Sequence, residues 1–401
     1  MSLCPLNVTE SHAAGVAEPI RADVTASLSA VTKQTGLPGM TFALYGPHVR
    51  REYSAGLADR ESQAKMQPHA VMMGGSTGKV FVALLAYREI ERGRLHYTDK
   101  VAQFLGANRE YNGLPGASEF TIAMLLAQST GLVDGTTDIA AFKHPGGAWT
   151  NERRFRAARR TKLLFPPGTA FSYSDLNYQI LAAVIEAIEH KYFGDLVTME
   201  ILRPLRMRGT SPATSRFIPG LASGYAGPTS KPQYENLKSP DKTAQSGLLF
   251  VSPASEGGGG GFSTTSPDLA KFMYSLFNGT LIGKQELENM ISPPAPVQPY
   301  QGGQGQGRYG AGIFTYQTAL GTAYGHGGIW YGYRTQMLYY PSFCVGAAMQ
   351  INSQIDGEGN SLQQFRMDNR IFDMVGMLTE LVREGLGPDP LAGADQECVD
   401  G

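Results

Sequence analysis

The sequence predicts an α/β protein of the α+β kind, in which strands from both ends of the chain form one antiparallel sheet flanked by helices. Strand-like segments occur near the start of the chain, at residues 40–45 and 50–55. They return near its end, at residues 309–316, 325–328, 333–340 and 345–351. Residues 98–250, between them, have the pattern of helices and long loops. A sheet completed by the two ends of the chain, with a mainly helical insert, accounts for this order.

This order divides the chain into two predicted domains. Residues 1–97 and 251–401 would together form a discontinuous α/β domain, and residues 98–250 would form a mainly helical insert domain. The chain has 401 residues, of which 42% are hydrophobic, so it has enough apolar mass for a large core.

Apolar spacing and capping residues place the helices. A helix at residues 19–35 is closed by Gly36 and Pro38, and Ser266 with Pro267 is typical of a helix start. The spacing also predicts helices at residues 80–90, 120–127, 176–190, 266–277 and 362–383. The segment 208–250 is rich in Pro, Gly, Ser and Thr and is predicted to be a long ordered loop.

Charge and hydropathy exclude several classes of function. The net charge is −1, so we expect no nucleic-acid partner. One basic cluster is predicted to be a solvated helix face: Arg153, Arg154, Arg156, Arg159 and Arg160. We see neither a membrane-spanning stretch nor the pattern of a signal peptide, and we therefore expect a cytoplasmic protein without a membrane partner. The oligomeric state is not predicted.

The three cysteines, Cys4, Cys344 and Cys398, do not have the spacing of metal ligands. We expect free thiols in a reducing compartment, although Cys4 and Cys398 could pair if the ends of the chain meet. We predict no metal site and no cofactor.

Ser76 and Lys79 form the first candidate for a catalytic pair. Three serines precede a lysine by three residues, Ser62, Ser76 and Ser239, but only Ser76 opens an apolar helix. That helix would place Ser76 and Lys79 on one face, and its N-terminus would offer N–H groups to an oxyanion. Burial would lower the pKa of Lys79 and make it a base for Ser76. The alternative is a serine that only caps a structural helix.

The same segment, residues 74–78, also matches G-x-S-x-G, the nucleophile elbow of α/β-hydrolases. That fold needs alternating strands and helices before the serine, whereas a hairpin is predicted here. It also needs an acid and then a histidine downstream, and Asp175 and His326 occur in that order without supporting context. The elbow is therefore the weaker interpretation.

Two further segments carry groups suited to acyl transfer. Tyr173 lies just before a predicted helix, and a phenol beside a lysine can relay protons to and from a serine oxygen. His326 is followed by Gly327 and Gly328, which let a ligand approach the strand closely. An N–H of that strand could complete an oxyanion hole. Taken singly, Tyr173 and His326 would each be interpreted as structural residues.

Together the three segments resemble the serine β-lactamase and penicillin-binding protein superfamily, on the branch of class C β-lactamases, D-amino-acid peptidases and family VIII esterases. Ser76-Thr-Gly-Lys79 resembles the S-x-x-K box, Tyr173-Ser-Asp175 the Y-x-N box, and His326-Gly-Gly328 the K-T-G or H-x-G box. The resemblance covers about residues 20–380, in family order. It implies a β-lactamase/transpeptidase-like fold, with the active site in the cleft between the two domains.

The resemblance also implies roles for individual residues. An acyl–Ser76 intermediate would form, Lys79 and Tyr173 would share the proton transfers, and the N–H groups of Ser76 and Ile329 would form the oxyanion hole. Six residues would contact the substrate: Asp175, His326, Gly327, Gly328, Trp330 and Tyr331.

Two departures from the family pattern favour apolar substrates over penicillins. Asp175 stands where the family has an asparagine that donates to the substrate amide, and an ionised carboxylate only accepts. His326 stands in place of a lysine and is mostly neutral near pH 7. Trp330 and Tyr331 would give the cleft an aromatic wall, which suits apolar acyl or aryl groups.

We therefore predict a serine esterase or amidase acting on a small ester, amide or thioester with an apolar acyl group. Within the superfamily, the alternatives are an acyltransferase, in which an alcohol or amine replaces water, and a D-amino-acid peptidase or β-lactamase. From a different class, the alternative is a catalytically inactive binding protein on the same scaffold.

Overall fold

A computed structural model describes residues 18–226, 242–293, 308–318 and 320–354. Its helices are α1 Glu18–Thr35, α2 Gly78–Glu91, α3 Ala102–Leu105, α4 Arg109–Asn112, α5 Ile122–Leu126, α6 Thr136–Lys143, α7 Asn151–Ala158, α8 Asp175–Glu189, α9 Phe193–Val197, α10 Ser266–Phe277 and α11 Lys284–Ile291. Its strands are β1 Gly39–Tyr45, β2 Arg50–Asp59, β3 Ala64–Lys65, β4 Met72–Met73, β5 Ser211–Pro212, β6 Gly224–Tyr225, β7 Lys242–Gln245, β8 Leu248–Leu249, β9 Phe262–Thr264, β10 Arg308–Tyr309, β11 Phe314–Thr318, β12 Gly321–Trp330, β13 Tyr333–Tyr340 and β14 Val345–Ile351.

Eight strands form one antiparallel sheet in the order β10-β11-β12-β13-β14-β1-β2-β3. The early and late strands meet where β1 pairs with β14, with Met40 opposite Ile351 and Tyr45 opposite Gly346. The predicted α/β fold, with a central antiparallel sheet drawn from both ends of the chain and flanked by helices, is confirmed. Two three-stranded sheets accompany it, β4-β9-β5 and β6-β7-β8.

The sheet is covered on both faces because successive side chains of a strand point to opposite sides. On β1, Phe42 belongs to the same apolar cluster as Leu28 of α1, whereas Ala43 belongs to the cluster that contains Leu269 of α10. Gly346 lets α10 approach closely, since a Cβ there would lie 2.0 Å from the carbonyl oxygen of Ala270. Both faces of the central strands are therefore core.

Helix α2, which carries the candidate lysine, is buried along almost its whole length. It packs in the main apolar cluster against α8 and α9 of the insert region. The chain leaves α2 at Gly93, whose φ of 68° is the left-handed conformation that the sequence predicted for a helix end. The helix thus links the sheet region to the helical region and fixes the position of its own first turn.

The structure differs from the predicted elements in two places. Residues 309–316 were predicted as one strand, but they form β10 and β11, because the chain turns at Gly312 with φ 76°. The described part of the predicted loop 208–250 contains the short strands β5 to β8, so that prediction is wrong there. The predicted helix at 362–383 lies outside the described residues.

Two expectations about side chains are also wrong. Arg154, predicted to be solvated, is 6% exposed and donates to the carbonyl oxygen of Ser255 at 3.2 Å, a long-range contact that no local pattern reveals. Cys344 is disulfide-bonded rather than a free thiol. Because disulfides persist mainly in oxidising compartments, this bond does not support the expected cytoplasmic location. Cys4 and Cys398 lie outside the described residues.

The hydropathy of the helices bears on whether any of them could cross a membrane. Within the described residues, no helix combines the length and the apolarity needed to cross one.

Candidate active site

Ser76 lies in a 3₁₀ turn, Gly75–Thr77, that leads directly into α2. Gly75 has φ 55°, a conformation that glycine adopts without strain. A Cβ on Gly75 would lie 2.5 Å from the carbonyl oxygen of Ile329, and one on Gly328 would lie 1.8 Å from that of Gly74. Strand β12 therefore touches the serine turn backbone to backbone. This contact places the backbone of Ile329, the predicted second oxyanion donor, beside the residue that precedes Ser76.

The five-glycine run, residues 257–261, packs behind the same turn. A Cβ on Gly260 would lie 2.7 Å from the carbonyl carbon of Gly75, so only glycine fits there without a shift of the backbone. The amide of Gly74 donates to the carbonyl oxygen of Phe262 at 2.9 Å. The run is thus part of the support of Ser76.

Lys79 is fully buried and occupies the centre of the site. Its Nζ donates to Ser76 Oγ at 3.1 Å, to the carbonyl oxygen of Gly259 and to Asp175 Oδ1. The ring of Tyr173 lies close by, with its centroid 4.9 Å from Nζ. The structure therefore brings together Ser76, Lys79, Tyr173 and Asp175, whose segments are far apart in the chain.

The pKa of Lys79 moves opposite to the sequence-based expectation. Burial alone lowers the pKa, but the negative charge of Asp175 outweighs it and raises the pKa above that of an ordinary lysine. The expectation that burial would free a neutral amine is wrong because it left out this partner. Lys79 is an ammonium in the resting site.

Tyr173 is a neutral phenol beside this ammonium. Burial raises the pKa of Tyr173 well above that of a free tyrosine, and the charge of Lys79 opposes the rise only in part. Its hydroxyl is buried without a hydrogen-bond partner within the described residues. The ring contacts the rings of Tyr309 and His326, each with a centroid separation of 6.1 Å. A neutral phenol can donate a proton but does not accept one readily.

Asp175 is the first residue of α8, and the helix start fixes it. Its amide donates to Asp134 Oδ1 at 3.0 Å, and its side chain is 15% exposed. The sequence assigned Asp175 to substrate binding, whereas the structure shows its carboxylate paired with Lys79. The lysine thus has a charge partner where the related families have an amide.

Two acids that the sequence reading missed stand behind this pair. The nearest carboxylate oxygens of Asp138, Asp175 and Glu256 all lie within 4.8 Å of one another. Burial raises the pKa of Glu256 well above its usual range, and Asp175 and Asp138 add to the rise. Oxygen ligands of this kind suit a hard cation, but Lys79 already supplies a positive charge to the group. The feature of the sequence that could have indicated Glu256 is its position directly before the five-glycine run.

His326 is buried, with an exposed fraction of 1%. Its ring packs against Phe314, at a centroid separation of 5.2 Å, and against Tyr173. Its Nδ1 hydrogen-bonds the carbonyl oxygen of Gly327. His326 therefore lies beside the catalytic tyrosine candidate with little surface to offer a substrate.

The remaining substrate-binding candidates fall into two environments. Trp330 is 3% exposed and belongs to an apolar cluster with Met72 and Tyr333, so it presents almost no surface. Tyr331 is half-buried, and its ring centroid lies 4.4 Å from that of Phe142. The aromatic surface at this end of β12 thus comes from Tyr331, which packs on the buried Phe142, and much less from Trp330.

Comparison with known proteins agrees with the resemblance that the three sequence segments show. The sequence matches the family model described as Beta-lactamase over residues 21–367. Penicillin-binding protein 4* of Bacillus subtilis is 26% identical over 315 residues, covering 75% of this chain and 65% of that protein. The unguisins hydrolase ungD of Aspergillus violaceofuscus is 24% identical over 271 residues, covering 65% of this chain and 46% of that protein. The chain thus spans less than two thirds of the length of these relatives.

Solved structures extend the likeness to the fold. The D-amino acid amidase from Ochrobactrum anthropi SV3, complexed with D-phenylalanine, superposes with a TM-score of 0.75 at 20% identity, over 92% of this chain and 99% of that one. The D-stereospecific amidohydrolase from Streptomyces sp. gives a TM-score of 0.71 at 22% identity, over 87% of this chain and 97% of that one. At these identities the likeness establishes the fold.

Proposed function

The chain belongs to the Beta-lactamase family, and from this we propose that it is an amidase or esterase that forms an acyl–Ser76 intermediate on small substrates with an apolar or aromatic acyl group. The observation that carries the proposal is the contact of 3.1 Å between Lys79 Nζ and Ser76 Oγ, beside Asp175 and the neutral Tyr173. A serine that only caps a helix has no need of a buried lysine on its oxygen.

Activation of Ser76 needs a neutral amine, and the Lys79–Asp175 hydrogen bond provides a route to it. The proton of the ammonium moves to Asp175 Oδ1, which leaves an amine and a carboxylic acid. A bound substrate favours this neutral pair because it excludes water, and a charged pair is costly in a dry site. The amine then takes the hydroxyl proton of Ser76 as Oγ bonds to the substrate carbonyl carbon.

Breakdown of the tetrahedral intermediate uses the phenol of Tyr173. The bond between the carbonyl carbon and the leaving nitrogen or oxygen breaks, and the leaving group takes the phenolic proton. Lys79 returns its proton to Tyr173, and Asp175 returns its proton to Lys79. The N–H groups of Ser76 and Ile329 would hold the oxyanion, as helix-start and strand donors do in such sites.

Deacylation repeats these steps with water in place of the leaving group. Water bonds to the acyl carbon and gives its proton to the neutral Lys79, the bond to Ser76 Oγ breaks, and Oγ takes a proton back. An alcohol or amine in place of water would give the transferase outcome. Adding an alcohol or amine to the reaction distinguishes acyl transfer from hydrolysis.

Amides rank ahead of esters as substrates because of the relatives. The two compared structures are of a D-amino acid amidase and a D-stereospecific amidohydrolase, and ungD is a hydrolase of unguisins. The half-buried Tyr331 against Phe142 gives an apolar surface at the end of the strand that touches the serine turn. We favour small D-aminoacyl amides with apolar side chains.

Intact-protein mass spectrometry tests the proposal. The protein is exposed to p-nitrophenyl esters and to D- and L-aminoacyl p-nitroanilides, with and without an added alcohol or amine. We expect an acyl adduct that is lost in Ser76→Ala and retained in Ser62→Ala, the matched control with the same spacing to a lysine. An adduct that survives in Ser76→Ala would place the nucleophile elsewhere, and no adduct with any substrate would support the inactive binding protein.

A further inference from the structure

Glu256 lies on the turn that also contacts Lys79. It stands between two 3₁₀ turns, Pro253–Ser255 and Gly257–Gly259, and its carbonyl accepts from the amide of Gly259 at 2.8 Å. The carbonyl of Gly259 in turn accepts from Lys79 Nζ. The residue is 6% exposed. One short turn thus supplies both a direct acceptor for the lysine and a buried carboxyl group behind it.

This turn is held in place from outside. Arg154 of α7 donates to the carbonyl oxygens of Ala254 and Ser255. On the other side, a Cβ on Gly258 would lie 2.4 Å from the carbonyl oxygen of Tyr178 in α8. The backbone on both sides of Glu256 is therefore held between two helices, α7 and α8.

The charges around Glu256 do not balance if every acid is ionised. It faces Lys79 of α2, Asp138 of α6, Arg154 of α7 and Asp175 of α8. The oxygens of the three carboxyl groups lie within 4.8 Å of one another, and Arg154 is occupied with backbone carbonyls. Like charges at this separation disfavour ionisation of all three groups. The site therefore retains a proton.

Burial favours Glu256 as the group that holds this proton. It is more deeply buried than Asp175, and burial raises the pKa of Glu256 well above its usual range. Asp175 is engaged as an ion-pair acceptor of Lys79. An oxygen of Glu256 and an oxygen of Asp138 lie within 4.8 Å of each other, so a proton on Glu256 can be directed at Asp138.

We propose that Glu256 is a positioning residue that works in its protonated form, donating to Asp138 and so keeping the carboxylates of Asp138 and Asp175 together beside Lys79. This inference rests on the proposed function, since it concerns the lysine that activates Ser76. With Glu256 neutral, only two negative charges face the ammonium. An ionised Glu256 would add a third and would hold the proton on Lys79 more tightly.

Two substitutions at one position separate the protonated role from an ionised one. Glu256→Gln keeps the shape and an N–H donor without a charge, so the rate of acylation should stay within about threefold of wild type. Glu256→Met keeps most of the volume but removes the donor, so Asp138 and Asp175 repel each other. Its rate should fall roughly 10- to 100-fold, the usual effect of losing a hydrogen bond to a charged group.

The acid limb of the kcat/KM profile gives a readout that a purely structural role would not move. The acid limb should lie at the same pH in Glu256→Gln as in wild type. It should shift to higher pH in Glu256→Met, because the unshielded carboxylates raise the pKa of Lys79. Adding Asp138→Asn to Glu256→Met removes the repulsion and should recover part of the lost rate. Glu89→Gln, which neutralises a 2% exposed glutamate at the far end of α2, is the control for general destabilisation.

The outcomes are distinguishable from failure of the proposed function itself. If wild type forms no acyl–Ser76 with any activated ester, the proposed function fails first. If the wild-type protein forms the acyl–Ser76 adduct, one result would overturn the inference. This result is an acid limb of kcat/KM that lies at lower pH in Glu256→Gln than in wild type, because Glu256 would then be ionised in the wild type. The inference is also overturned by a rate in folded Glu256→Gln as low as in Glu256→Met, or by no loss in Glu256→Met. If the Gln variant does not fold, the single variant Asp138→Asn becomes the deciding test. It removes the charged acceptor of Glu256, so the acid limb of kcat/KM should shift to lower pH. An acid limb at the wild-type pH would contradict the proposed network.

Discussion

Lys79 and Asp175 form an ion pair in which the lysine side chain is fully buried and the aspartate side chain is 15% exposed. Burial costs an unpaired charge several kcal/mol in practice, so the pair holds both groups in one geometry. The family pattern has an amide at this position, which accepts a hydrogen bond without bringing a charge. In this protein, the residue that anchors the lysine also sets its protonation.

Replacing Asp175 by Asn should lower the pKa of Lys79, because the largest influence that raises it is removed. In the proposed route, however, Asp175 receives the proton of Lys79, and an amide cannot accept it. The acid limb of kcat/KM for acylation should therefore move to higher pH, where Lys79 loses its proton to solvent, while the amide oxygen still accepts from Nζ. The measurement is the pH dependence of p-nitrophenol release. Asp195→Asn, an exposed acid in the first turn of α9, is the control and should leave the limb in place. An acid limb of kcat/KM at the wild-type pH in Asp175→Asn would contradict the ion pair between Lys79 and Asp175.

Removing the hydroxyl of Tyr173 should separate chemistry from stability. The buried hydroxyl has no hydrogen-bond partner within the described residues, so Tyr173→Phe should unfold at nearly the wild-type temperature. Its turnover should fall roughly 10²–10⁴-fold if the phenol is the general acid. Tyr340→Phe, at a buried tyrosine of β13, should retain turnover. Turnover of Tyr173→Phe close to wild type would remove Tyr173 from the mechanism.

Gly327 and Gly328, which follow His326, should differ in how well they tolerate substitution by alanine. A Cβ on Gly328 would lie 1.8 Å from the carbonyl oxygen of Gly74, so Gly328→Ala must push β12 away from the serine turn. A shift of about 1 Å in an active site costs on the order of 10²-fold in rate. The nearest atom to a Cβ on Gly327 is the terminal side-chain oxygen of Gln336, at 2.9 Å, which can shift more readily than backbone. The loss of kcat/KM in Gly327→Ala should be smaller, and an equal loss in both variants would argue against the backbone contact.

Asp59 should make stability depend on pH below neutrality. Hydrogen bonds from Ser223, the amide of Ser62 and Lys242 lower its pKa below the usual value of 3.8. A lowered pKa in the folded state contributes stability above the unfolded value and loses it as the pH falls towards the folded one. Denaturant unfolding at pH 7 and pH 3 should show a free-energy gap between wild type and Asp59→Asn that narrows at the lower pH. A constant gap would contradict the assignment.

Local patterns were enough to predict the elements that carry the reacting groups. The helix after Ser76 followed from its apolar run and from Gly93, and the sheet followed from strand patterns at both ends of the chain. The spacing of Ser76 and Lys79 fixed their relative position because three residues make nearly one helical turn.

What the sequence did not reveal depends on contacts between distant segments. The direction of the pKa of Lys79 is set by Asp175, which comes from α8. Burial alternates along β12, with His326, Gly328 and Trp330 buried and the residues between them half-buried. That alternation separates Trp330 from Tyr331, which the sequence analysis had grouped together as one wall.

The two halves of the main sheet meet only along β1 and β14, and the order of synthesis places the reactive centre across that seam. Ser76 follows the strands that are made first, whereas β12, whose backbone contacts its turn, is made later and is followed among the described strands by β13 and β14. Until β14 has left the ribosome, β1 lacks its β14 partner, and until β12 has done so, the turn of Ser76 lacks its contact with the backbone of Ile329. In an unfinished chain, this edge of β1 is therefore open to pairing with other strands.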